Sequence, residues 1–555
     1  MINKYFKILS KHILNRLYKL IIKKSLKGRR FMPKNSPEDV YEIFNNTNEL
    51  KYFDKKIIMP YVDIDNYNIM NIYKPYEILE VSNIPPKSSL KINLNNQKDI
   101  ILPIALLDQK GINKNVNEAI IIKVGMKKTE IQIKYKNRFH YLPIKSKSFI
   151  NELNIFSDIS TVSVGKPIYR DTSRLQNKPK LIVQIFVDAF AQSMIEKFGY
   201  DLMPNTKQFF QNGGTFYTNT FAQSEWTLSS IAGIFTGKYT NEHLIYHPRS
   251  EDKIQHTTIA DVLQKEEYLT FGCSNIPKLT PLNGFDKGFD RFIQSIDKDY
   301  NYIINEACEQ LDAFGGNQYL FLGFFDTHEA HRLQPVSSQV LNDLKDFNFK
   351  KLKGNSKDTS ILYDNERINM FKNSIKHFDN KLKRLYEKIT NYDNEAMVVL
   401  HSDHGVNFMT ETNELLGKER EKVIFLYKNN KNHISDNAIK EIRELPSMMC
   451  NDLGIKNRFN YNKNSYAITE SLFPEKEYEL SVRSDKYVLF FKVDWEDIDK
   501  RNFIDYQPRI SFHYIDNEIK KININKSNKK DYLRLLDKAK DHYKIMCENL
   551  IKKEN

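Results

Sequence analysis

An α/β architecture, with a mostly parallel central sheet flanked by helices, is what this sequence predicts, and three stretches carry the prediction. The run KLIVQIFVDAF is continuously apolar from Leu181 to Val187, rich in β-branched residues and too short to cross a membrane; it stops at a carboxylate, Asp188. A second run, MVVLHSDHG, has the same ending, with Met397 to Leu400 leading into Asp403 and His404. A third, Phe324 to His331, reads as a strand ending in Asp326, with His328 and His331 on the loop beyond it. Ligands of open α/β sheets gather outside the carboxyl ends of parallel strands. A lone strand-end Asp reads equally well as a helix cap, but two such endings imply one site.

Length and charge set the frame. At 555 residues the chain exceeds one small core, and two or three domains are expected. No window approaches the roughly 18 to 20 apolar residues that a membrane span needs. Cys273, Cys308, Cys450 and Cys547 are widely spaced with no CxxC pair, which favours a reducing compartment and argues against a cysteine zinc site. The net charge of +14 is uneven: residues 1–30 hold ten Lys or Arg and no acid.

Taken in order, residues 1–33 form a basic amphipathic arm. Ile2, Phe6, Leu9, Ile13, Leu17, Leu20 and Ile21 share a helical face, with Lys4, Lys7, Lys11 and Lys19 mostly off it. Such a segment suits an anionic membrane surface, and with no span in the chain it points to a cytoplasmic protein, peripheral on the inner membrane face. An ordinary helix docked on a neighbouring domain reads the same residues equally well. A secretory signal fits poorly, and no nucleic-acid partner is expected, because the rest of the chain has no basic stripe. Residues 34–169 break into short alternating segments, EILEVSNI, SLKINL, KDIILPIALL, EAIIIKVG, TEIQIKYK and FHYLPI, and a β-sandwich is the economical reading. The polar stretch RDTSRLQNK from Arg170 links to the main domain at 178–465. Residues 466–555 add further strands and a long polar helix, an α+β subdomain; His513, between Phe512 and Tyr514, reads as structural.

Beyond Asp188 the chain gives MPNTKQFFQNGGTFYTNTFAQSEWTLSSIAGIFTGKY, then TTIADVLQKEEYLTFG, NGFDKGFDRF, YLFLGFFDTHEAHR, VVLHSDHG, ELLGKEREKVIFLYK and ELPSMMCNDLGI. This ordered set, from Pro179 to Ile455, resembles the sulfatase and alkaline phosphatase superfamily. The resemblance implies an alkaline-phosphatase-like fold and places the nucleophile position, counted back from Thr236-Gly237-Lys238-Tyr239, on Thr227. A threonine hydroxyl needs activation. The resemblance implies a divalent cation held by Asp188, Thr227, Asp403 and His404; that donor set suits zinc or manganese, with magnesium or calcium as alternatives. At His328 it implies a group that contacts phosphate or sulfate or ligates a second metal, with Asp326 and His331 as alternatives at adjacent spacing; Lys238 and His243 are lesser candidates for substrate charge.

Departures from the pattern matter as much. Sulfatases carry Cys or Ser followed by Pro and Arg two and four places on, for conversion to an aldehyde; here those places hold Thr227, Ser229 and Ile231. Position 189 is Ala, and the Gly-Lys-Trp-His segment is matched only by Gly272-Cys273-Ser274-Asn275. What remains is similar to the threonine-nucleophile phosphoethanolamine and phosphoglycerol transferases. The expectation is a metal-dependent phosphoryl or phosphodiester transferase or hydrolase, working through phosphothreonine on a phosphorylated or sulfated small molecule or glycan, such as a cell-surface glycan or its precursor. Sulfate-ester hydrolysis is the runner-up, and a non-catalytic glycan-binding protein the alternative of another class.

Overall fold

The computed structural model describes residues 56–60, 76–107, 118–124, 127–133, 139–158, 160–169, 178–246, 252–295, 298–328, 365–406, 416–430, 434–459, 465–472, 477–515 and 519–554. The basic arm at 1–33 and His331 lie outside the described residues.

Leu181–Val187 is buried along its whole length and is an interior strand of a large sheet. It pairs in parallel with Gln318–Phe324 on one side and Met397–His401 on the other. Leu269–Ser274 and then Arg291–Gln294 extend the parallel set to five strands. Beyond Met397–His401 the direction reverses at Phe425–Lys428, which pairs antiparallel with it and with Gly214–Tyr217. Parallel neighbours end at the same edge, so Val187, Phe324 and His401 deliver the residues that follow them to one place.

Alternation along the central strand explains why every residue in it is apolar or internally bonded. Leu181, Val183, Ile185 and Val187 point into a core with residues of the helices Gln192–Phe198, Tyr300–Ala313 and Asn365–Tyr392. Ile182 and Phe186 point into the opposite core, under the helices Thr227–Thr236, Ile259–Lys265 and Leu445–Asp452. A strand covered on both faces has no polar side to show. The short helix Pro204–Gln211 is fastened by Asp379 of the long helix, whose carboxylate accepts from the Asn205 and Thr206 amides and the Thr206 hydroxyl. That carboxylate satisfies donors that a helix start leaves without partners.

The N-terminal region is strand-rich as expected. Its strands are hydrogen-bonded as one continuous antiparallel path, rather than as two separate ladders, and that path joins the central sheet. Tyr76–Ile84 pairs with Arg291–Gln294 through Tyr76, Glu77 and Ile78, and with Thr161–Gly165 through Val81 to Ile84. Ser88–Leu107 and His140–Ser157 pair along most of their length, with register breaks between Asn93, Gln97 and Asp99. Ile100, Leu102, Ile104, Leu106, Leu153 and Ile155 fill this region's own core.

The C-terminal part is an antiparallel sheet from Ala467–Leu472 to Ile519–Lys521. Helix Lys529–Glu554 covers it, with Leu535, Ala539, Tyr543 and Met546 buried against Tyr478, Leu480 and Phe491. His513 bonds Ser511 Oγ at 3.0 Å and meets the Phe490 ring edge-on. The strand Ala467–Leu472 also grips the segment that leads to Thr227: the Glu470 amide donates to the Gln223 carbonyl at 3.0 Å, Thr469 Oγ1 to the Ala222 carbonyl at 2.6 Å, and Ser471 Oγ to Glu225 Oε1 at 2.6 Å. Among the described residues no helix is long and apolar enough to cross a membrane.

Candidate metal-dependent active site

Asp188 follows the central strand directly, is fully buried, and is held by backbone: its amide donates to the Phe324 carbonyl at 2.9 Å and its carbonyl accepts from Thr327 Oγ1 at 2.8 Å. The next residue, Ala189, sits at φ +59°, a conformation that costs a non-glycine residue free energy and persists only where its surroundings impose it. Here the imposing contact is clear, since the Ala189 amide donates to Asp403 Oδ1 at 3.1 Å. Strain at one strand tip thus ties two acidic strand ends together.

Asp403 is fully buried, and its Oδ1 also accepts from the His404 amide at 2.8 Å. Its Oδ2 has no hydrogen-bond partner among the described residues and lies 3.4 Å from His404 Nε2. Burial pushes the Asp403 carboxyl up to about 6, against the pull of the two backbone amides. His404 pairs Nδ1 with the Gly405 carbonyl at 2.8 Å; a carbonyl only accepts, so Nδ1 carries the proton and Nε2 turns its lone pair inward. His404 Nε2 lies 3.8 Å from Asp188 Oδ1 and 3.2 Å from Thr227 Oγ1.

Thr227 is the first residue of the ten-residue helix Thr227–Thr236, entered through Trp226 in extended conformation. Its hydroxyl lies 3.5 Å from both Asp188 oxygens. The first-turn amides and the helix dipole favour an anion at this end. The next turn is anchored to the same site, since Ser230 Oγ donates to the Asp403 carbonyl at 2.8 Å. His328 completes the group, with Nε2 4.0 Å from Asp188 Oδ1 and its ring stacked on Phe325 at 4.9 Å. Ligand atoms of Asp188, His328 and His404 all lie within 4.8 Å of one another. Carboxylate oxygens, an inward imidazole lone pair and an unbonded buried carboxylate oxygen are a donor set that fits a divalent cation of the first transition row.

A protein-family model described as Sulfatase matches residues 180–423, a span that holds all five of these side chains. Residues 180–423 are thus similar to a sulfatase domain. No curated protein matches the chain. Among solved structures, similarity extends to a complex with D-glucosamine-2-N,6-O-disulfate, at 13% identity and TM-score 0.47, covering 66% of this chain and 98% of that one. A Bacteroides thetaiotaomicron protein of glycosaminoglycan metabolism is similar at 13% identity and TM-score 0.49, over 65% and 94%. A Vibrio parahaemolyticus protein of the alkaline phosphatase superfamily is similar at 14% identity and TM-score 0.46, over 69% and 90%.

Asp326, Lys238 and His243, also nominated from the sulfatase-like pattern, are engaged by other partners. Asp326 turns away from the cluster: its carboxylate accepts from Asn275 Nδ2 at 2.8 Å and from the Tyr300 amide at 3.1 Å, which starts the next helix, and burial pushes it up to about 7. Lys238 and His243 follow the Thr227 helix in the chain, which folds back along that helix so that Thr240 Oγ1 lies 2.6 Å from Ser229 Oγ. Lys238 pairs with Glu242 at 2.9 Å. His243 is buried, accepts from the Ile245 amide at 3.0 Å, and is held neutral by burial down to about 3. Sequence reading missed Ser230, Thr327 and the Ala189 amide, which hold Asp188 and Asp403 in place. Ser230 and Thr327 carried a signal in their hydroxyls beside nominated residues, but a backbone amide leaves none.

Proposed function

We propose that the sulfatase-like domain catalyses metal-dependent phosphoryl or phosphodiester transfer or hydrolysis with Thr227 as nucleophile. The observation that carries this reading is the position of Thr227 Oγ1, at a helix N-terminus and within 3.5 Å of both Asp188 oxygens and 3.2 Å of His404 Nε2. Ser229 and Ile231 replace the Pro and Arg that accompany an aldehyde-forming residue, so the hydroxyl itself is left to attack. Asp188, Asp403, His404 and Thr227 would hold the cation, with zinc or manganese as the ions that best suit the donors. When bound, such a cation supplies Lewis acidity that lowers a neighbouring hydroxyl's pKa and offsets charge on the transferred group.

The chain's own residues supply the rest. Thr227 Oγ1 forms the bond to phosphorus, and amides of its helix stabilise charge on the equatorial oxygens. His328, with its side chain 27% exposed the most open of the five, donates a proton to the leaving oxygen, a role worth about 10²–10⁴ in rate. Water or an acceptor hydroxyl then takes the group from phosphothreonine. The substrate class is a phosphorylated or sulfated glycan or small molecule, such as a surface glycan or its precursor. Trapping with a slow phosphodiester tests the chemistry: the expected result is phosphate-derived mass on Thr227 by peptide mass spectrometry, absent in Thr227→Ala.

Sulfate-ester hydrolysis is the second reading, favoured by the family match over residues 180–423. Turnover of nitrophenyl sulfate without turnover of the phosphate monoester or diester would establish it in place of the first. Residues 1–30, with ten cations, are proposed to hold the protein on an anionic cytoplasmic membrane surface. Deleting them is expected to move the protein to the soluble fraction, and unchanged partitioning would end that proposal.

A further inference from the structure

Three polar side chains lie inside the sheet, on the face covered by the Thr227 helix, in a core that includes Ile182, Phe186, Phe321 and Val399. Gln184 and Tyr319 are completely buried, and so is His401. They form a one-way chain. Tyr319 Oη donates to Gln184 Oε1 at 2.7 Å, and Gln184 Nε2 pairs with His401 Nε2 at 2.8 Å. His401 Nδ1 pairs with the Ser402 carbonyl at 3.2 Å. Since that carbonyl only accepts, Nδ1 is the protonated nitrogen, Nε2 accepts from the Gln184 amide group, and the amide oxygen is left for the tyrosine proton. Every step has one direction. Phe186 stacks on the His401 ring at 5.4 Å and 15°, which fixes its plane.

The placement is what gives this chain a role. Tyr319, Gln184 and His401 stand on three adjacent parallel strands, the same three whose tips bear His328, Asp188, Asp403 and His404. Gln184 is opposite Phe321 on one neighbour and Val399 on the other, so the chain steps two residues nearer the carboxyl edge at each crossing of a strand. It ends on the peptide joining Ser402 to Asp403. A slip of one residue in either pairing would send a polar member to the opposite core and leave the others unpaired in apolar surroundings. Three apolar residues would fill this space without a desolvation cost; a satisfied polar chain adds a single allowed register.

We infer that Tyr319, Gln184 and His401 are positioning residues that set the register of the three ligand-bearing strands and the orientation of the Ser402–Asp403 peptide, and so the cation affinity of the site. The inference rests on the metal site and not on the choice between phosphorus and sulfur chemistry. The test uses the full chain stripped of metal, titrated calorimetrically with Mn²⁺ or Zn²⁺ alone, beside thermal unfolding of the metal-free protein. Gln184→Leu is expected to raise the Kd about 10-fold or more, within the range seen when ligand-supporting hydrogen bonds are removed, and to lower the unfolding midpoint, because it leaves Tyr319 Oη and His401 Nε2 buried without their partner. Should Gln184→Leu fail to fold, Tyr319→Phe, which removes one hydroxyl, is expected to weaken binding at least threefold. The triple variant Tyr319→Phe/Gln184→Leu/His401→Phe removes all three polar side chains together, and it is expected to unfold near the wild-type midpoint yet still bind metal weakly. A Kd within twofold of wild type in the variants that fold, or recovery of wild-type affinity in the triple variant, would overturn the inference. Wild-type protein that bound neither ion would instead refute the metal site itself.

Discussion

Gly405 follows His404, and it is there for space rather than for conformational freedom. A Cβ at this position would lie 1.9 Å from the Glu419 carbonyl oxygen and 2.8 Å from Ala191 Cβ, where real contacts stay beyond 3.0 Å. Backbone on both sides holds it in place: the Gly405 amide donates to the Arg420 carbonyl at 2.7 Å, and Val406 to Glu419 at 3.2 Å. In Gly405→Ala the segment must therefore move by about 1 Å, and the Gly405 carbonyl that sets the His404 ring moves with it. Misplacement on that scale costs on the order of 100-fold in a reaction that depends on alignment. Overpacking adds about 1–3 kcal/mol of destabilisation. The assay is Mn²⁺ titration and turnover of nitrophenyl phosphate, with urea unfolding of the metal-free protein as control. Expected are a lower urea midpoint, metal binding weaker by at least 10-fold and turnover down about 100-fold. Gly405→Ala with wild-type affinity and an unmoved midpoint would refute the packing argument.

Thr227→Ala is expected to abolish turnover while metal-free stability stays within about 1 kcal/mol, read by the same assays, because a single hydroxyl with long contacts is removed. Thr227→Ser keeps the nucleophilic atom and should retain measurable turnover. Asp403 and Asp326 are both raised by burial, to about 6 and about 7. Their neutral forms favour the fold, so this stability is fully present below the ordinary carboxylate range near pH 4 and lost as pH rises through 6 to 7. Urea midpoints of metal-free protein should fall across that window, and the fall should shrink in Asp403→Asn, which should also lose metal binding. Arg483 pairs with buried Glu421 and lies over the Phe221 ring at 5.1 Å. Arg483→Met leaves that carboxylate buried without its cation, and a loss of about 3–5 kcal/mol in urea unfolding is expected.

The strand tips were legible because a charged residue that closes an unbroken apolar run fits best where a buried strand emerges from the sheet. Asp188, Asp403 and His404 stood out on those grounds, and the sulfatase-like resemblance, counted back from Thr236-Gly237, pointed to Thr227, which the structure brings to the same point. Lys238 and His243 are engaged by local partners that no motif spacing reveals, Lys238 by Glu242 and His243 by the Ile245 amide. Asp326 shares the strand-tip pattern, yet its carboxylate is taken by Asn275 and the Tyr300 amide, a long-range pairing that no spacing reveals. The φ of +59° at Ala189 was invisible for a related reason, since alanine is not a residue that announces a left-handed turn. Gln184 and His401 could have been flagged as polar interruptions in buried runs, but their partnership depends on the register of three strands.

The pairing of Tyr76–Ile84 with Arg291–Gln294 crosses the polar stretch that seemed to divide the chain near residue 178. A protein begun at Pro179 would end its sheet in four bare residues, Arg291–Gln294, with their donors and acceptors turned outward. Such a rim templates the addition of any extended chain, and self-association would follow at ordinary concentrations. The N-terminal strands thus serve the central sheet as a selvedge, and the two should melt together rather than in separate steps.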